Sequence, residues 1–190
     1  MTIAIRRLAI PDVLEIRHAA LEDHRGFFLE AYKKTEFDEL VQPASFVQLN
    51  HSRSRRHVVR GLHFQWNAPM AKLMRVTQGE AYLVAVDIRR GSPTLGQWVG
   101  MSVRAEDQLS LFAPPGFARG FCATSDWTEV QYLCTAEYNP SGETGIRWDD
   151  PRLGIDWPTR DPVLSDKDRR AQSLEDWLAL PESRTFIWEP

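Results

Sequence analysis

From Val58 to Tyr138 the chain reads as one short extended segment after another. Turn signals fall at Asn67-Ala68-Pro69, Gln78-Gly79, Arg90-Gly91-Ser92-Pro93, Ala105-Glu106-Asp107, Pro114-Pro115-Gly116 and Ser125-Asp126. A spacing of roughly ten to twelve residues between turns is the pattern of a β-sandwich or barrel. Within it, Ala81–Ile88 is almost continuously apolar, as expected of a strand buried on both faces. At 190 residues and 43% hydrophobic, the chain is long enough for one domain with a sizeable core. It carries no internal repeat, low-complexity segment or domain boundary.

The flanks are more mixed. Ile3-Ala4-Ile5 and Phe46–Asn50 read as strands, Pro11–Ile16 as extended, and Asp23–Gly26 as a turn leading into a strand. Thr35–Leu40 predicts one short helix with Thr35 as its N-cap. A helical period opens at Ser165 and continues through Leu174, Trp177 and Leu178. Ser165 and Asp168 have capping-box spacing, with Asp in place of the usual Glu or Gln. Residues beyond Pro181 read as an appended end, a candidate for packing on a partner subunit.

Charge removes several classes of function. With 23 basic and 26 acidic residues, the net charge of −3 leaves no footprint for nucleic acid or a membrane surface. The one basic run, Ser52–His57, reads as a solvated turn. Cys122 and Cys134 make neither a disulfide framework nor a metal set. With no leader-like segment and no long apolar run, the expected location is cytoplasmic, with free thiols. Seven Trp and nine Phe suit ring-stacking pockets or a large subunit interface.

Chemistry concentrates in Val58-Val59-Arg60-Gly61-Leu62-His63-Phe64-Gln65 and Met70–Val76. Strand alternation puts Val59, Gly61, His63 and Gln65 on one face, and Arg60, Leu62 and Phe64 on the other. Lys72 shares a face with Met70 and Met74. A His and a Lys among apolar strand residues read either as a base with an electrostatic partner in a dry pocket, or as a satisfied core histidine and a snorkelling lysine. A small barrel with His63 early and Pro115–Phe121 late is similar to the cupin architecture. Metal-binding cupins offer several His and a Glu; here Gln65 follows His63, and Arg119 stands in the second motif. A guanidinium has no lone pair to give, so a divalent metal is excluded.

Taken in order, further motifs carry a more specific resemblance. They are Asp23-His24-Arg25-Gly26-Phe27-Phe28, Val47–Ser52, Arg60–Gln65, Lys72–Val76, Val86–Thr94, Gln97–Gly100, Ile146–Pro151, Gly154–Pro158 and Leu164–Asp168. Over about Pro11–Asp168 the chain resembles the dTDP-4-dehydrorhamnose 3,5-epimerases and relatives acting on nucleotide-linked 4-keto-6-deoxy sugars. The resemblance implies an all-β fold, a double-stranded β-helix (cupin-like jelly roll) with a few short helices, mainly C-terminal. Residues 1–190 would form a single domain: N-terminal strands and a dimer arm over 1–50, a core barrel over 51–140, and C-terminal loops and helix over 141–190. It implies a homodimer with exchanged N-terminal strands, a dTDP-linked 4-keto sugar as substrate, and no cofactor or metal.

The resemblance also implies roles. His63 would be the general base and Asp168 the carboxylate that orients it. Tyr132 would be the acid on the opposite face of the sugar, and Lys72 the cation at the enolate oxygen. Arg25, Phe28, Glu30, Gln48, Asn50, Arg60, Glu143 and Lys167 would hold the nucleotide sugar, and Tyr138 would stack on the thymine. The chemistry wants such a set, because a C4 ketone acidifies the C–H bonds at C3 and C5. A base that titrates near neutrality, a carboxylate fixing its tautomer, a charge at the oxyanion and an acid across the ring complete an epimerisation. Each has an ordinary reading beside it: Asp168 as a helix cap, Tyr132 as a half-buried strand aromatic, the arginines as surface.

The chain departs from the family at two positions. The usual Ala-His-Gly-Phe is Ala118-Arg119-Gly120-Phe121, and Leu83 stands where the family has Asp. If the two are neighbours this is one coupled change. Arg119 would then either replace a donor or reach the ketone oxygen and alter scope. The alternatives to a 3,5-epimerase are a C3-only or C5-only epimerase, and a catalytically silent nucleotide-sugar-binding cupin.

Overall fold

A run of short strands joined by tight turns can bury its apolar residues only by folding into sheets that face one another. The computed structural model describes residues 3–189; Met1, Thr2 and Pro190 lie outside the described residues. The early strands are β1 (Ala4–Arg7), β2 (Leu14–Arg17), β3 (Ala20–Asp23), β4 (Gly26–Leu29), β5 (Gln48–Arg55), β6 (Val59–Gln65) and β7 (Lys72–Gln78). They are followed by β8 (Glu80–Asp87), β9 (Trp98–Arg104), β10 (Leu109–Ala113), β11 (Phe117–Ala123), β12 (Trp127–Cys134) and β13 (Glu143–Gly145). All the paired strands are antiparallel. One sheet has the order β1-β2-β10-β7-β12-β5, the other β13-β6-β11-β8-β9, and β3 and β4 form a separate hairpin. Such facing sheets with non-sequential neighbours are the expected jelly roll.

The layers follow from alternation. In β8, Leu83 and Ala85 point between the sheets, where they join Met74, Val76, Leu111, Phe117 and Phe121. Val84 and Val86 point out the other side, into a second cluster with Leu62, Phe64, Trp177 and Phe186. The strand is therefore buried on both faces, as its apolar run requires. On the outer face of the six-stranded sheet, Phe37 of α1 (Lys34–Leu40) packs edge-on against Phe46 and Phe112, with centroids 5.2 and 5.3 Å away.

Several expectations are corrected. Helix α1 begins one residue before Thr35, after Lys33, which makes no side-chain cap bond. The burial of Phe37, rather than the Thr hydroxyl, sets its register. The tail is two helices, α2 (Asp166–Arg169) and α3 (Leu174–Ala179). Between them Gln172 bridges to Ile146, and Ser173 with Asp176 makes a capping box that starts α3 afresh. The end beyond Pro181 packs on its own chain: Phe186 is buried with Phe64 and Trp177, and Ile187 bridges to Arg90. Ser52–His57 is mostly strand, with Arg53 and Arg55 stacked on Trp127, so that only Arg56 and His57 turn.

The correction that matters most for chemistry lies in β6. Val59, Leu62 and Phe64 share the outer cluster, while Arg60 and His63 line the interior. Strict alternation fails because the ladder with β11 shifts by a residue: Arg119 opposes His63, but Phe121 opposes Arg60. Gly61 sits at this bulge with φ of 124°, and a Cβ there would lie 2.6 Å from Gly120 Cα. Only glycine fits at such an approach. The bulge thus turns Arg60 and His63 to the same side.

Candidate active site

Between the sheets the apolar packing stops short at one end, leaving a cavity of about 160 Å³. One wall is the five-stranded sheet, with His63 and Arg60 from β6 and Arg119 from β11. The facing wall is the six-stranded sheet, with Lys72 and Met74 from β7 and Tyr132 from β12. Asp168 and Ser165, at the start of α2, close it from the side.

His63 Nε2 lies 2.5 Å from Asp168 Oδ1. A carboxylate acceptor keeps the proton on that nitrogen and leaves the lone pair on Nδ1. Asp168 is itself held: Ser165 Oγ donates to its Oδ2 at 2.9 Å and accepts from its backbone N–H at 3.1 Å. The two readings of Asp168 therefore coincide, since the helix start that Ser165 caps is what points the carboxylate at His63. Burial pushes the Asp168 carboxyl up, but the hydrogen bonds from His63 and Ser165 and the charge of Lys167 outweigh it, so the group is held below the usual carboxylate range.

Across the cavity, the Lys72 Nζ stands over the Tyr132 ring, 5.2 Å from its centroid. Burial, followed by the nearby Arg119 charge, pulls the Lys72 ammonium down to about 8. Burial raises the Tyr132 phenol. A lysine that sheds its charge easily and a phenol kept neutral are both donors at neutral pH. Arg119 is 3% exposed, and its Nη1 donates to the carbonyls of Pro114 at 3.1 Å and Ala113 at 3.5 Å. Leu83 is its diagonal neighbour on the adjacent strand, opposite Phe121, while Ala85 is directly opposite Arg119. The two departures are thus close but not paired face to face.

The other predicted residues divide into three groups. Gln48 and Asn50 point inward along β5, joined by a 2.8 Å hydrogen bond, with Gln48 Oε1 also accepting from the backbone of the exposed Tyr138. Arg60 at the rim is braced by Ser54 Oγ at 3.0 Å. Glu143 and Lys167 form an ion pair in an outer cleft of about 560 Å³ that shares His63 and Asp168 with the cavity. The structure does not bring Arg25 and Phe28 to this place. They lie on the β3–β4 hairpin, where Arg25 pairs with Asp23 and Phe28 is 65% exposed. Glu30 follows that hairpin beside His18, away from the cavity lining. Ser52 was not singled out in the sequence, yet it lines the cavity; its signal was the period of two that it shares with Gln48 and Asn50. Among the described residues no group of three or more His, Cys, Asp or Glu side chains is placed to hold a metal.

Residues 7–176 match the family model described as dTDP-4-dehydrorhamnose 3,5-epimerase. A protein of that name from Pseudomonas aeruginosa is 49% identical over 177 residues, covering 92% of this chain and 98% of its own. Among solved structures, the dTDP-6-deoxy-D-glucose-3,5-epimerase of Legionella pneumophila, in complex with dTDP-4-keto-L-rhamnose, superposes with a TM-score of 0.92. It is 38% identical and covers 99% of both chains. A 3'-monoepimerase from Streptomyces bikiniensis, in complex with dTDP-quinovose, has a TM-score of 0.86. It is 30% identical and covers 92% of this chain and 89% of its own.

Proposed function

The chain belongs to the dTDP-4-dehydrorhamnose 3,5-epimerase family, a family of isomerases, and from that premise we propose that it epimerises a dTDP-linked 4-keto-6-deoxyhexose at C3 and C5 without a cofactor. The observation that carries the reading is the placement of a carboxylate-held imidazole and a lysine–tyrosine pair on opposite walls of one cavity. The sugar ring would lie between them. His63 Nδ1 takes the proton from the carbon beside the ketone, and the C–H electron pair becomes the enolate double bond. Asp168 stabilises the resulting imidazolium. Lys72 meets the charge that develops on the ketone oxygen. The Tyr132 hydroxyl, on the far wall, returns a proton to the opposite face of the same carbon. Arg60, Gln48, Asn50, Glu143 and Lys167 would grip the diphosphate and sugar, with Tyr138 against the base. Charge-assisted bonds to that remote part hold the reacting carbons in register.

The same reading includes a homodimer. The β3–β4 hairpin pairs with neither main sheet and exposes Leu21, Phe27 and Phe28, while Val47 and Leu49 are exposed at and beside the start of β5. Exchange of this arm would cover those side chains and deliver Arg25, Phe28 and Glu30 to the partner's cavity. The enzyme would work in the cytoplasm, where both buried thiols stay reduced. A second reading, epimerisation at one carbon only, rests on Arg119 and Leu83 and on the similarity to a 3'-monoepimerase.

The test is proton exchange. The protein is incubated with dTDP-4-keto-6-deoxyglucose in deuterated water, and C3–H and C5–H are followed by NMR. Deuterium entering both carbons is expected. Exchange at one carbon selects the single-centre reading, and exchange at neither overturns both.

A further inference from the structure

Arg119 is rooted in the five-stranded sheet, but its guanidinium ends against the other one. Its Nη1 bonds to the carbonyl of Ala113, which is the residue directly opposite Lys72 in the β10–β7 ladder. The side chain therefore crosses the interior and sets a permanent charge beside the Lys72 ammonium. It is held there by two backbone carbonyls and no carboxylate, while its Nε has no partner among the described residues. The groups that face Lys72 from every neighbouring element are Arg119 on β11, Tyr132 and Cys134 on β12, Glu143 on β13, and Lys167 on α2. His63, Arg60 and Asp168 share the cavity. The acids in this set are already engaged, Asp168 with His63 and Glu143 with Lys167.

We propose that Arg119 is a positioning residue for Lys72: its fixed charge readies the Lys72 ammonium to give up a proton, so that Lys72 protonates the ketone oxygen as the enolate forms. This deepens the epimerase reading and rests on it. As His63 Nδ1 takes the carbon's proton, the C–H pair forms C=C and the carbonyl π pair moves to oxygen, which bonds a proton from Lys72 Nζ. Lys72 is left as a neutral amine. It takes the proton back as C=O re-forms, and the carbon takes its new proton from the Tyr132 hydroxyl. Proton exchange with solvent returns His63 and Tyr132 to their starting forms. The depressed Lys72 titration, for which the Arg119 charge is the second cause after burial, agrees with this.

The chain has four lysines, Lys33, Lys34, Lys72 and Lys167, so the Lys72 ε-carbon can be followed by NMR in the ligand-free protein after selective labelling and assigned with Lys72→Arg. In Arg119→Met the Lys72 titration should rise by about one unit or more, and in Arg119→Lys it should stay. If Arg119→Met does not fold, Leu83→Asp, which sets a carboxylate diagonal to Arg119, should raise it in the same direction. The alkaline limb of kcat should move with it. A Lys72 titration unmoved in the folded variant overturns the coupling, and a titration that moves while the alkaline limb stays overturns the proton transfer. Because the titration needs no substrate, a protein inactive on the 4-keto sugar would defeat the epimerase reading while leaving the Arg119–Lys72 coupling to be judged by NMR.

Discussion

Asp168→Asn isolates the contribution of the carboxylate to proton abstraction. The side chain keeps its size, and the cap of α2 is untouched because Ser165 Oγ accepts from the backbone N–H of residue 168, not from its side chain. Stability at neutral pH should therefore fall by no more than about 1–2 kcal/mol, the loss of one charge-assisted bond to a half-buried ring. Catalysis should fall much further. In the native site the 2.5 Å contact between His63 Nε2 and Oδ1 fixes the proton on Nε2. An asparagine that keeps its oxygen toward Ser165 Oγ turns its NH2 toward His63. It then donates to Nε2, which drives the ring proton onto Nδ1, the nitrogen that must accept from carbon. An asparagine flipped the other way keeps the tautomer but loses the negative charge under the imidazolium. The flipped state costs about 10-fold and the wrong tautomer up to about 10⁴-fold, so the expected loss in kcat lies between about 10-fold and about 10⁴-fold. The assay is deuterium uptake by the substrate carbons together with kcat from pH 6 to 9. A folded variant that exchanges as fast as the wild type would refute the role of Asp168, because both orientations of the asparagine predict a loss.

Two other expectations concern the scaffold. Gly61→Ala should destabilise the protein by about 3–5 kcal/mol, combining a disfavoured φ with backbone overlap, and chemical denaturation would measure it. The new Cβ would lie 2.6 Å from Gly120 Cα and 2.8 Å from the Arg119 carbonyl, neither of which is a side chain that can swing away. His18 is buried with its Nε2 2.7 Å from Ser110 Oγ, and burial followed by the charge of Arg75 pulls its titration down to about 4. The unfolded chain thus binds a proton that the folded one refuses as pH falls from about 6.5 to about 4. Stability should drop by up to about 3 kcal/mol across that window and be fully present above it. A His18→Leu, Ser110→Ala protein, measured by denaturation across the same window, should lose less stability by about that amount.

What the sequence disclosed depended on the range of the interaction. The apolar runs and turn residues of the middle strands are local signals, and they led to two facing sheets with β8 buried on both sides. His63 and Lys72 were legible as chemistry because each is a titratable group among apolar strand residues, whereas Asp168, among charged neighbours, read as a helix cap and gained a role only through the family resemblance. The face of Arg60 was not legible. Alternation counted from Val59 puts it away from His63, and only the shifted ladder between β6 and β11 reverses this. That shift depends on Gly61 meeting Gly120, residues almost sixty positions apart in the chain, so no local window contains it. The split of the C-terminal helix was partly visible, since Ser173-x-x-Asp176 is itself a helix start. What overrides the longer period is the bridge from Gln172 to Ile146, again a distant contact. Arg25 and Phe28 fall in the same class: their hairpin pairs with neither main sheet and lines no part of the cavity, so the role proposed for them would require a second copy of the chain.

The division of labour between the sheets explains why such a small cavity holds so many charges. The imidazole and its carboxylate enter from β6 and α2 on one side, and the lysine and tyrosine from β7 and β12 on the other. Each wall is rigid because its strand is hydrogen-bonded on both edges: β6 lies between β13 and β11, β7 between β10 and β12, and β12 between β7 and β5. A base and an acid that must act on opposite faces of one carbon cannot both come from one strand, where side chains two apart point the same way. Two sheets packed about 10 Å apart supply that opposition directly, with room between them for one sugar ring. Arg119 breaks the division by reaching across, and it is the residue through which the two walls are electrostatically coupled. The pH dependence of this enzyme should therefore respond to position 119 more strongly than to any exposed charge at the rim, because the rim is screened by water and the floor of the cavity is not.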